Sequence, residues 1–106
     1  MSYKWNRLGV CTNQNDAVVW KNGNSGFTIH TAQAPDGTWR AAHEILFPGG
    51  WGGYWCQLKS EIYATEREAI CGELRKVIAR TDCPKAVETE ARQVLANYYF
   101  VQQTLF

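Results

Sequence analysis

The stretch Ala34-Pro35-Asp36-Gly37-Thr38, set between Phe27-Thr28-Ile29-His30-Thr31 and the run from Trp39 to Phe47, decides the fold of this chain. Proline presets the first turn position, and Gly37 supplies the left-handed residue that closes a tight loop. On both sides apolar and polar residues alternate with the period of a half-buried strand. The segment therefore reads as an antiparallel hairpin. A three-residue Pro-Asp-Gly loop pairs Ala34 with Thr38, which sets His30 opposite Ala42 and His43 opposite Ile29. Adjacent strand positions face opposite ways, so the two histidines do not converge in this register; a slip of one residue would bring them together as a metal pair. Trp39, Ala41, His43, Ile45 and Phe47 form the inward face, and Arg40, Ala42, Glu44 and Leu46 the other.

Working outward, Lys21-Asn22-Gly23-Asn24-Ser25-Gly26 is turn chemistry, and Ala17-Val18-Val19-Trp20 before it reads as a short strand, favoured here, or as the end of an N-terminal helix. Downstream lies Phe47-Pro48-Gly49-Gly50-Trp51-Gly52-Gly53-Tyr54-Trp55, where glycines alternate with large aromatics. Its place between two alternating runs makes it the next turn. No helix follows it, so it is not a phosphate loop. Tyr54 to Tyr63 then reads as another strand, with Cys56, Leu58, Ser60 and Ile62 toward the core and Trp55, Gln57, Lys59, Glu61 and Tyr63 toward water.

Thr65-Glu66-Arg67-Glu68 is a capping box, in which Thr65 accepts from the Glu68 amide and the Glu68 carboxylate returns to the Thr65 amide. The helix it opens runs to about Arg80. Its apolar stripe is Ile70, Leu74, Val77 and Ile78, with Glu66, Arg67, Glu73, Arg75 and Lys76 outside. Asp82-Cys83-Pro84 ends it and starts a second helix striped by Val87, Ala91, Val94, Leu95 and Tyr98. Strands followed by helices define an α+β class. The expected architecture is an antiparallel meander of three or four strands, packed on one face by two C-terminal helices. All 106 residues form one domain.

Composition narrows the function classes. A formal net charge of +1 gives no global field for nucleic acid or anionic membrane. No apolar run follows the N-terminus and none approaches membrane-spanning length, so a cytoplasmic protein is expected. Cys11, Cys56, Cys71 and Cys83 are too widely spaced for a zinc site and read as free, mostly buried thiols. No nucleophile, phosphate-loop or metalloprotease motif occurs, and Asp36, Glu44, Glu61, Glu66 and Glu68 show no spacing that demands acid–base work. No catalytic residue, metal or cofactor is therefore assigned.

What the motifs leave over is aromatic. Trp51, Tyr54 and Trp55, with Arg40 and Lys59 in strand proximity, suit a ligand or partner contact surface rimmed by cations. A pocket under the glycine-rich turn would hold a small molecule. At the end of the second helix Tyr98, Tyr99, Phe100 and Val101 occupy consecutive positions, and Phe106 closes the chain. No single helix face holds them all, which suggests an oligomer interface.

The strand-turn-strand order, a proline-containing segment before the last strand and Thr65-x-x-Glu68-Ala69-Ile70 at the helix start together resemble HicB-type antitoxin domains over residues 27–80. That resemblance implies a nucleic-acid-associated regulator. In size and lack of motifs the chain is also similar to small orphan proteins of bacterial mobile elements, of integron gene cassette or phage accessory type, a likeness that brings no activity with it. The expected function is a non-enzymatic binding or interaction protein, homodimeric, with the aromatic glycine-rich segment as its contact surface. A nucleic-acid regulator and a small-molecule binder are the alternatives.

Overall fold

The computed structural model describes the backbone of residues 2–104 and the side chains of residues 2–98. The chain forms an α+β fold, with strands β1 (Asn15–Asn22), β2 (Ser25–Gln33), β3 (Trp39–Phe47) and β4 (Gly50–Gly53), then helices α1 (Glu66–Ile78) and α2 (Lys85–Thr104). The strands make one antiparallel meander in the order β1-β2-β3-β4.

The central hairpin has the register that its loop dictates. The Ala34 amide donates to the Thr38 carbonyl at 2.7 Å, Gly37 adopts φ 91°, and Ile29 pairs with His43 while His30 pairs with Ala42. Phe27, Ile29, Ile45 and Phe47 thus share one face and pack against Ile70, Leu74 and Val77 of α1 and Val87 and Ala91 of α2. Each fully buried aliphatic or aromatic side chain of this kind contributes about 1.5–3 kcal/mol. The Thr65 hydroxyl accepts from the Glu68 amide at 3.1 Å, as its motif requires, although the Glu68 carboxylate returns to the amide of Ala64 (3.3 Å) instead of Thr65. No described helix is long and apolar enough to cross a membrane.

Two expectations are corrected. The glycine-rich segment is itself a strand, because Pro48-Gly49 alone makes the turn and Gly50–Gly53 pairs with Glu44–Phe47. The chain then leaves the sheet, so Tyr54 to Tyr63 is not a regular strand. It crosses the face opposite the helices, making isolated bridges from Gln57 to Val10 and from Tyr63 to Trp39. Alternation therefore fails as a guide there: Cys56 is fully buried, but Ile62 is 62% exposed.

This crossing segment is clasped by the N-terminal one. The Cys11 amide donates to the Cys56 carbonyl (2.9 Å), the Leu58 amide to the Gly9 carbonyl (2.8 Å) and the Cys56 amide to Gln14 Oε1 (2.8 Å). Together they cover Ala32 and Ala42 and form a second small core with Cys11 and Cys56. All four cysteines are free; burial pushes the Cys56 thiol up to about 12.

Candidate functional site

The two histidines sit back to back across the sheet. His43 faces the helices. Its Nδ1 lies 2.7 Å from Oε1 of Glu73, which is fully buried, and the Tyr54 hydroxyl donates to the same oxygen. The Tyr54 ring meets the His43 ring edge-on at 5.1 Å. Glu73 Oε2 makes no hydrogen bond among the described residues, and its nearest partner is the Lys76 ammonium at 3.5 Å. Burial alone would push the Glu73 carboxyl up. The hydrogen bonds from His43 and Tyr54, with Lys76 nearby, outweigh it and hold the group below the usual carboxylate range. Burial, together with the bond to Glu73, drives the Tyr54 phenol far above its ordinary value.

Glu73 is the main surprise of this region. Its place beside the Ile70–Leu74–Val77 stripe suggests an outer residue, yet it is drawn inward to match His43. The signal was available: a histidine on the inward face of β3 needs an acceptor from the helix above it. Glu66 is turned inward as well, accepting from Thr31 Oγ1 at 2.7 Å.

His30 faces the other way and is also buried, but its partners are open. Nδ1 lies 2.8 Å from Asp16 Oδ1 and Nε2 lies 3.1 Å from Glu44 Oε1, and these carboxyl side chains are 62% and 42% exposed. One carboxylate at each ring nitrogen clamps the imidazole between them. Such an arrangement orients the ring, and among the described residues the second oxygen of each carboxylate makes no hydrogen bond and can accept from a ligand.

The histidine lies in a cleft of about 390 Å³ lined by Asp16, Glu44, Trp51, Trp55 and the Thr12–Gln14 segment. The β4 strand builds one wall. Trp51 pairs with Leu46 and so points to the face opposite the helices, 70% exposed, while Trp55 follows on the crossing segment at 54%. Gly53 carries no side chain because Glu44 packs over it: a Cβ there would lie 2.5 Å from Glu44 Cγ.

The residues expected at the contact surface divide accordingly. Trp51 and Trp55 come together at the cleft. Tyr54 contributes to the cleft wall but commits its hydroxyl to Glu73. Arg40 is not a rim cation: it is 5% exposed beneath the crossing segment, its Nε donating to the Leu58 carbonyl at 2.9 Å and its Nη1 to Thr38 Oγ1 at 2.8 Å. Lys59 is exposed but does not line the cleft. Tyr98 packs half-buried on the main core; the side chains of Tyr99, Phe100 and Val101, and all of Phe106, lie outside the described residues. Asp16 and His30 were missed as site residues: the β1–β2 turn alone would set Asp16 opposite Thr31, and the register shift between Asp16 and Val18 brings it opposite His30 instead.

No protein-family model, no curated protein and no solved structure matches this chain.

Proposed function

We propose that this is a non-enzymatic binding protein whose contact surface is the Trp51–Trp55 cleft, and that the ligand presents an organic cation such as a guanidinium group. The observation that carries this reading is the combination of two exposed indoles with two exposed carboxylates, Asp16 and Glu44, fixed by one buried histidine. Indole faces attract cations, and a carboxylate binds guanidinium through paired hydrogen bonds. Here the cations come with the ligand, instead of standing at the rim as Arg40 and Lys59 were expected to. The four free thiols favour a reducing compartment, in keeping with a cytoplasmic protein.

The test is a tryptophan-fluorescence titration with Nα-acetyl-arginine amide, using its neutral citrulline counterpart as control. The expected result is saturable binding of the arginine compound, weakened by salt and at least tenfold weaker for the citrulline compound. Equal affinity for the two would refute the cation reading. Absence of any saturable response would refute the cleft as the binding surface for this ligand class.

A further inference from the structure

We infer that the free edge of β4 pairs with the same edge of a second copy of this chain, antiparallel about a two-fold axis at Gly52. The phase of the β3–β4 ladder decides which backbone groups face this edge. The Tyr54 amide donates to the His43 carbonyl at 3.3 Å, and Ile45 pairs with Gly52 and Phe47 with Gly50. Hydrogen-bonded pairs alternate along an antiparallel ladder, so Gly50, Gly52 and Tyr54 turn their backbone groups inward to β3. Trp51 and Gly53 turn theirs outward. Among the described residues those outward groups have no backbone partner.

The edge is complementary to itself. Centred on Gly52, an antiparallel pairing sets Trp51 opposite the partner's Gly53 and Gly53 opposite the partner's Trp51, each pair exchanging both N–H and C=O groups. Gly52 then meets the partner's Gly52 at the close, non-hydrogen-bonded spacing of about 4.5 Å between Cα atoms. A bulky residue faces an empty position on each side of the axis. Directly opposed residues share a sheet face, so the partner's Trp51 lies over Gly53 and the stem of Glu44, where an indole covers strand glycine well.

The opposite edge of the sheet is built to refuse such pairing. β1 has a register shift between Asp16 and Val18 and carries the exposed Lys21, both of which deter strand addition. β4 has no bulge and no charge. Its pairing gives the homodimer expected from the sequence an interface at the sheet edge instead of the helix end. The contact is short, so the dimer forms with concentration-dependent, weak affinity.

Gly52→Glu tests it. A Cβ at Gly52 meets nothing within 4 Å, so one subunit tolerates the change, while two carboxylates at the axis repel. Light scattering across protein concentrations is expected to move from the 12.0 kDa of the chain toward ~24 kDa (twice 12.0) for the wild type, and to stay at the lower mass for Gly52→Glu with an unchanged circular dichroism spectrum. Tryptophan emission should shift blue with concentration in the wild type, and this shift should vanish in Trp51→Phe. A wild-type mass of one chain up to about millimolar concentration, where weak pairs still form, would overturn the inference. So would a dimer that persists in Gly52→Glu, or one that leaves Trp51 emission unmoved. Gly52 faces away from the cleft, so binding of Nα-acetyl-arginine amide by Gly52→Glu reads the cleft separately from the dimer.

Discussion

His43 and His30 lie on adjacent strands, one residue pair apart in the ladder, and each contacts carboxylates, yet they do opposite work. On the helix side, the fully buried Glu73 and the Tyr54 hydroxyl close around His43, with the Lys76 ammonium beside Glu73. On the far side, Asp16 and Glu44 hold His30 from positions that stay open to solvent, and two indoles stand beside them. The first arrangement uses buried charge to fix how α1 sits on the sheet. The second fixes one buried ring so that exposed groups around it are preorganised. The difference comes from what covers each face: two helices on one side, and on the other a crossing segment that covers the Ala32–Ala42 half and stops short of Trp51.

Breaking the helix side should have the largest effect. Glu73→Ala leaves His43 and Tyr54 without their acceptor in a buried place, and is expected to cost about 3–5 kcal/mol in urea unfolding. A cost below about 1 kcal/mol, the size of an exposed pair, would show that the cluster is not structural. The same group carries an acid signature. Its folded value lies below the ordinary carboxylate value of 4.5, so the stability it contributes is present above that pH and is lost as pH falls through the lower folded value. Glu73→Gln should therefore flatten the acid limb of the stability profile relative to wild type.

Next in size is Gly72→Ala on α1, where a methyl would collide with the Tyr63 phenol. Overpacking of this kind costs about 1–3 kcal/mol, less the roughly 1 kcal/mol that alanine gains in a helix, so a small net loss is expected in thermal unfolding. Smallest in stability, and largest in binding, are changes on the far side. Trp55→Ala and Glu44→Gln should alter unfolding by no more than about 0.5–1 kcal/mol, since both side chains are well exposed. Each should weaken binding of Nα-acetyl-arginine amide several-fold.

The sequence carried the central hairpin completely: one Pro-Asp-Gly loop set the register of both histidines, and the Thr65 cap set the start of α1. It did not carry β4. Alternation is read from side chains, and Gly50, Gly52 and Gly53 have none, so a strand there looks like a turn. The same blind spot moved the expected last strand to Tyr54–Tyr63, and with it the belief that Arg40 stands in water. Half of the site was legible in Trp51 and Trp55, whose exposure follows from aromatic residues with no core to enter. The hairpin register already places Glu44 on the same face as His30; what was hidden is Asp16, which reaches His30 through β1 pairing at a position where the register shifts by one.

The division of labour between the two histidines can be observed directly in one experiment. Carbon-13 resonances of the two imidazole rings, assigned with His30→Gln and His43→Gln, would be followed while Nα-acetyl-arginine amide is added at constant pH. The account predicts that the His30 ring moves with saturation and that the His43 ring stays in place. Movement of His43 with His30 stationary, or both rings unmoved while tryptophan fluorescence reports binding, would contradict it.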